Sequence, residues 1–305
     1  MSPQHVLLTG ATGFIGQRLQ SALIGSGRKI SAIIRPGSAH LDRLHPECNA
    51  IQCELNDKER LSEACSGIDA VIYCAGTVRG RDLDDFTPAN VDGVAQLADA
   101  MNQSACQSPF LLVSSLAASR PAISDYANSK FLGEQALESK AQFPWTIFRP
   151  PAVYGPGDKE MMPILRMARR GIVTPTGPAE QRLSLLHSDD LATATLAWLD
   201  GWQNCRGQTF TLDDGRQGGY DWQAIAETAS GGRYRSLGIP RFLLFAVARI
   251  NLGLSGLFGY APMLTPGKAR ELTQDDWLCD NSDLNEALGW KPTIGLETGI
   301  RQLFG

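Results

Sequence analysis

Tyr126 and Lys130 lie one helical turn apart in the run DYANSKFLGE (125–134), a phenol and an ammonium at a spacing that makes neighbours on a helix surface. A phenol titrates near ~10, so moving a proton near neutrality requires a fall of about 3 units, roughly 4 kcal/mol of differential stabilisation. A buried ammonium supplies such an attraction where water is excluded; an exposed pair does not. The spacing alone also suits an ordinary helix face, and context must decide. Ser115 closes the apolar run PFLLVSS (109–115) shortly before Tyr126, and a hydroxyl there can donate to a substrate oxygen as charge develops on it. Ser114 is the weaker choice, because adjacent strand residues point to opposite faces.

A second group of residues suits a nucleotide. TGATGFIG places Gly10, Gly13 and Gly16 after a strand-like run and at the start of a helical one. Glycine permits the turn and a close backbone approach, and the helix start offers free N–H groups to a pyrophosphate. Thr12, Phe14 and Ile15 belong to the same expected loop. Arg35 ends the next apolar run, AIIRPGS. An acid at that place binds the ribose hydroxyl of NAD, whereas an Arg favours the extra phosphate of NADP. NADP is therefore the expected cofactor, with NAD as the alternative, and stacking on adenine is the other use of such an Arg.

These groups need a frame, and the apolar periodicity describes one. Short runs at 5–10, 29–35, 49–53, 69–76, 109–115 and 145–150 read as buried strands, with helical stretches such as 13–25 and 90–105 between most of them. Such alternation predicts a parallel sheet covered on both faces. After residue 150 Pro and Gly cluster in RPPAVYGPGD and VTPTGPAEQ, while LSLLHSDDLATATLAWL returns to a strand followed by a helix. The expected organisation is a Rossmann-type, doubly wound α/β domain (1–154 and 184–212). A smaller discontinuous C-terminal substrate lobe (155–183 and 213–305) covers the carboxyl ends of its strands.

Other residues carry bland readings. His187, in LLHSDDL, is expected to cap a helix, and Asp189 and Asp190 to open that same helix. Cys74, at the end of the fourth strand, packs beside the expected dinucleotide without chemistry. The apolar stretch 242–259 is interrupted by Arg249 and Asn251, short for a span of ~20 residues, and reads as a packed or substrate-lining helix, with membrane contact as the alternative. The 305 residues are 43% hydrophobic and 20% charged with a formal net charge of −4, which argues against a nucleic-acid surface and for a small-molecule partner. The 7 cysteines are scattered without a CxxC, so no disulfide framework or zinc site is expected. The opening MSPQHVLLTG has no basic leader, and a cytoplasmic protein is the expectation.

TGATGFIG, CELND, NVDGVAQL, VSSLAAS, YANSK, RPPAVYGPGD, HSDDLA and LGWKPTIGLETGIRQ together resemble, in order and over nearly the whole chain, the extended short-chain dehydrogenase/reductase family, also called the NAD-dependent epimerase/dehydratase family. The resemblance implies a nicotinamide dinucleotide and a Ser, Tyr, Lys set at Ser115, Tyr126 and Lys130. In it the Tyr transfers the proton at the substrate oxygen, while the Lys holds the nicotinamide ribose. It also implies cofactor contacts from Glu54, standing where the usual residue is Asp, and from Leu55, Cys74, Ala75, Gly76, Asn90, Pro150, Ala152 and Val153. Asn90 would be explained equally well as an N-cap.

Within the family, an Arg that binds a sugar-nucleotide diphosphate is expected where Leu183 stands, with Arg182 one step off and so on the other strand face. The C-terminal lobe is similar to the hydroxysteroid dehydrogenase and dihydroflavonol reductase branches. Hydride transfer with a hydrophobic or aromatic alcohol or carbonyl compound is the leading expectation. A nucleotide-sugar epimerase or dehydratase is the first alternative and a non-catalytic dinucleotide-binding protein the second; a homodimer is expected by family analogy.

Overall fold

Six strands form where the six apolar runs predict them: β1 His5–Thr9, β2 Lys29–Ile34, β3 Asn49–Gln52, β4 Ala70–Tyr73, β5 Phe110–Val113 and β6 Trp145–Arg149. The structure, a computed structural model, describes residues 2–305. A seventh strand, β7 Gln208–Thr211, completes an all-parallel sheet in the order β7-β6-β5-β4-β1-β2-β3. The sequence reading instead set the next strand at LSLLHSDD. Leu185–His187 is indeed extended, but it pairs with Ala152–Tyr154 in a separate two-stranded piece.

The strand order reverses between β1 and β4, where Val6 sits beside Ile30 on one side and Ala70 on the other. Carboxyl ends at such a reversal diverge and leave a crevice for a ligand. Helices cover both faces. On one, α1 (Phe14–Gly25) packs beside a later helix that starts at Ser188; on the other lie α2 (Gly93–Gln103) and α3 (Asp125–Lys140). The later helix is α4 (Ser188–Gly201), whose Leu191, Ala194 and Trp198 join Val6, Leu8 and Ile72 in one buried layer. Leu7, Val71, Leu97, Met101 and Ile147 form the opposite layer. Both faces of the strands are apolar because both are covered.

A separate, smaller core gathers Leu165, Ile225 and Ile300 from the expected lobe with Tyr154 and Leu185, which fall within the bounds expected of the sheet domain. Leu284 and Trp290, expected in the lobe, pack instead into the sheet layer with Trp198. Two lobe helices approach the strand ends, α5 (Arg241–Phe258) and α6 (Pro266–Leu272), sharing a contact of Leu244, Ala248 and Ala269. The expected packing of 242–259 does not hold along α5. Of its residues only Leu244, Ala248 and Ser255 are buried, Phe245 and Leu252 are half-buried, and Phe242, Leu243, Val247, Ile250, Leu254, Leu257 and Phe258 face outward.

Candidate active site

The glycine loop closes the carboxyl end of β1. Gly10 adopts φ +68°, a left-handed conformation, and a Cβ there would stand 2.6 Å from the backbone of Cys74 and Ala75. A Cβ on Gly16 would overlap the Gly10 carbonyl, so only glycine lets α1 sit this close to the turn. Gly13 is the N-cap of α1; it is extended, no side chain caps the helix, and no acid stands in its first turn. The first-turn amides, including Phe14 and Ile15, are therefore without intrahelical partners and face the crevice end with the positive end of the helix dipole. These features fit a pyrophosphate. Thr9, which the sequence reading missed, ties the loop to β4 by accepting from the Cys74 and Ala75 amides, both at 3.1 Å.

Around that cradle, Arg35 lies just past β2, exposed and without an ion pair among the described residues. Glu54 is exposed beyond β3, with Leu55 half-buried beside it. Burial pushes the Cys74 thiol up to about 12, so it carries no thiolate chemistry. Pro150 accepts from the Leu116 amide at 2.8 Å; Ala152 and Val153 belong to the short strand beyond it. Asn90 is not an N-cap. It lies in a wide helical turn, Pro88–Asp92, and its buried amide bonds Thr77 on both atoms (3.0 and 3.1 Å) and Ser129 (2.9 Å). Ser129 in turn donates to the Tyr126 carbonyl at 2.7 Å, so Asn90 holds the start of α3 against the β4 loop.

The start of α3 brings the phenol and the ammonium to the cleft. Ser124 caps it, accepting from the Ala127 amide at 3.0 Å, and Asp125 stands in its first turn. Lys130 is 7% exposed and donates to the Val113 carbonyl at 3.0 Å, between Cys74 and Gly76 on one side and the end of β5 on the other. Burial depresses its ammonium to about 8. Farther along the helix, Glu134 is buried against Arg149 at 3.0 Å and against Ser114, which locks α3 to the sheet. Ser114 thus points away from the cleft. Ser115 lies beyond β5 rather than in it, and caps a short turn by accepting from Ala117 at 3.2 Å.

Tyr126 is half-buried, edge-on to the ring of Phe86 at 5.9 Å. Burial raises its pKa above the usual phenol value, against a lowering by a hydrogen bond with Ser115 and by the positive charge of Lys268. Lys268 of α6 is thus a second cation beside the phenol, while the Lys130 ammonium donates to the Val113 carbonyl. Lys268 stands 5.9 Å from the Tyr126 ring centre and pairs at 2.7 Å with Glu271, which is buried and also accepts from Ser124. The Glu271 carboxylate holds the Lys268 ammonium above its ordinary pKa despite burial. No local sequence signal marks Lys268 and Glu271; a KxxE step is common on helices, and only the fold brings it to Tyr126.

Val78, Phe86, Pro262, Met263 and Thr265 line the cleft over this group. Arg81, Asp125, Lys268 and Glu271 line it too: Arg81 is paired with Asp85 at 2.9 Å, while Asp125 has no ion pair among the described residues and Arg270 nearby donates to the Ile123 carbonyl; farther out Arg79 pairs with Glu160 at 2.7 Å, Arg120 with Asp276 at 2.5 Å and Arg182 with Asp221 at 3.0 Å. His187 lies away from this chemistry, buried, with Nδ1 accepting from the Asp189 amide at 3.3 Å as the cap of α4. Asp190 does not merely open α4. It is buried and accepts from Thr293 and Ile294, pinning the C-terminal segment to the sheet domain.

The model of the NAD dependent epimerase/dehydratase family matches residues 6–210. A ceramide reductase of Caulobacter vibrioides is 32% identical over 97% of this chain and 92% of its own length. A UDP-glucose 4-epimerase of Vibrio cholerae is 24% identical, covering 98% of this chain and 94% of that protein. Among solved structures, MoeE5 in complex with UDP-glucose and NAD superimposes with a TM-score of 0.72 at 20% identity, over 98% of this chain and 96% of that one.

Proposed function

This chain belongs to the NAD dependent epimerase/dehydratase family, and we propose that within it the protein is a nicotinamide-linked reductase or dehydrogenase of a hydrophobic carbonyl compound. The observation that carries this reading is that the two cations lining the cleft over Tyr126, Arg81 and Lys268, are each held by a carboxylate, beside the apolar side chains of Val78, Phe86, Pro262 and Met263. A nucleotide-sugar diphosphate calls for cations free to meet it. An apolar ketone needs none. The similarity to a ceramide reductase over nearly the whole chain supports the same substrate class.

In this reading the glycine loop and the first turn of α1 hold the pyrophosphate, and Arg35 meets the extra phosphate of NADP. When bound, the nicotinamide supplies the hydride chemistry. Tyr126 gives its proton to the carbonyl oxygen in reduction or takes it from the hydroxyl in oxidation, and Ser115 donates to the same oxygen as charge grows. Lys130, with its ammonium near titration, is within reach of the nucleotide side of α3. Lys268 favours the phenolate from the lobe side, with Glu271 keeping it charged and oriented.

The second reading, a nucleotide-sugar epimerase, draws on the similarity to the Vibrio cholerae enzyme. Two assays separate the readings. Long-chain ketones should oxidise NADPH in the presence of the purified protein, whereas UDP-glucose should be returned unchanged. Interconversion of UDP-glucose and UDP-galactose with no net NADPH oxidation would replace the first reading by the second.

A further inference from the structure

α5 turns its apolar residues to the outside. Phe242, Leu257 and Phe258 are 77%, 76% and 71% exposed, Ile250 is 62% exposed, and Val247 and Leu254 are also open. At 3.6 residues per turn these side chains fall on one arc of about 160°, while the buried Leu244, Ala248 and Ser255 lie on the far side. The helix is fastened to the fold as well as packed on it: Asn251 donates to the Leu264 carbonyl at 2.8 Å, and Tyr260 donates to the Asn251 side chain at 2.6 Å. An apolar face of this size left open on a folded domain marks a contact surface.

Charge selects the occupant. Between Glu227 and Glu271 the chain has no acidic residue but has Arg233, Arg235, Arg241, Arg249, Lys268 and Arg270, in a protein of net charge −4. Arg233, Arg235, Arg241 and Arg249 are exposed and make no ion pair among the described residues. Arg249 borders the apolar arc, and with the exposed Arg233, Arg235 and Arg241 near the helix start it gives this part of the chain a positive charge that matches an anionic bilayer surface. A second copy would bring the same arginines against their own kind. The helix, 18 residues and about 27 Å, is long and apolar enough to span, but its hydrogen bonds and packing tie it along the folded domain, which fits a helix lying on a surface. Arg249 and Asn251 also stand in mid-helix. The segment that follows α5 runs directly into the cleft, where Pro262, Met263, Thr265 and Lys268 face Tyr126.

We infer that α5 is an interfacial helix that seats the protein on anionic lipid, so that the cleft over Tyr126 takes its apolar carbonyl substrate from the membrane. The docking rests on α5 alone; the substrate's origin rests also on the reductase reading. The test uses the full chain with vesicles of phosphatidylcholine alone and of phosphatidylcholine mixed with phosphatidylglycerol, and a variant carrying Phe242→Ser, Leu257→Ser and Phe258→Ser. The wild type should sediment with the anionic vesicles, less with the neutral ones and less in high salt. The variant should bind about tenfold more weakly or worse, with NADPH affinity and turnover of a short water-soluble ketone unchanged. Equal sedimentation of the two proteins, or a wild-type dimer that the variant converts to monomer without any vesicle binding, overturns the docking. Vesicle binding together with failure to reduce any ketone supports the docking and overturns the reductase reading and the substrate route with it.

Discussion

The sheet domain and the lobe solve opposite problems. In the sheet domain, two apolar layers of fully buried side chains clamp seven paired strands, and the loops at their ends are cross-tied by Thr9, Asn90 and Glu134. The lobe has strands of two residues, one modest core and a contact of three buried residues under α5. Geometry that must be held to a fraction of an ångström is placed on rigid elements. Surfaces that accommodate variable ligands are drawn from regions of lower local stability. The candidate site lies where the two meet: Tyr126, Ser115 and Lys130 come from the sheet side, and Lys268 with Glu271 from the lobe side.

Four measurements would break or sharpen that division. The largest expected effect is at the shared group. Tyr126→Phe should lose at least about a hundredfold in turnover while dinucleotide affinity stays within about twofold, because the proton-transfer hydroxyl is removed and the cradle is not. Stopped-flow hydride transfer and NADPH fluorescence titration check the two halves, and unchanged turnover would remove Tyr126 from the chemistry.

Next comes Lys130, a sheet-side group. Its pKa is depressed in the folded protein to about 8 from 10.5, so between those values the unfolded chain holds the extra proton and stability rises with pH. Relative to Lys130→Met, the wild type should gain on the order of 2 kcal/mol between about pH 8 and pH 9.5. Denaturant titrations at both pH values test this; a pH-independent difference would mean the ammonium is not buried in solution.

On the lobe side, replacing the pair together as Lys268→Met with Glu271→Leu avoids leaving a buried charge unpaired. This variant should lose about tenfold in kcat/KM with the dinucleotide affinity retained. Lys268 lowers the Tyr126 pKa, so its removal should also move the phenol-dependent limb of the pH–rate profile to higher pH. A loss of rate with no movement of that limb would reduce Lys268 to a structural role. The smallest effect is expected at Arg35→Asp, which should weaken NADPH relative to NADH by about fivefold or more; titrations with the original preference would remove the phosphate contact.

Much of the sheet domain was legible because its signals are local. Apolar runs of strand length, a glycine spacing that only a tight turn uses, and Ser124 before Asp125 at a helix start each report on their own backbone. The i, i+4 step of Tyr126 and Lys130 is equally local, and it correctly puts both on α3. The partner of each is a different matter: Lys130 turns to Val113, and Tyr126 feels Lys268 from a segment far along the chain. The strand at Gln208–Thr211 was missed because QTFT is short and has a single apolar residue, and only pairing with β6 makes it the edge of the sheet. Stretch 242–259 was misread because apolar composition reports the free energy of leaving water, not which surface is there to receive it.

The sequence by itself determined the element types, the glycine cradle and the presence of a phenol and an ammonium on one helix, since each follows from torsional freedom and periodicity within a few residues. Only the tertiary structure decided which charges stand around the phenol, which cations are paired with carboxylates, and which apolar helix stays open. Those are properties of distance and solvent exclusion between segments remote in the chain, and Coulomb attraction and burial depend on where groups finish in space rather than on their order along the backbone.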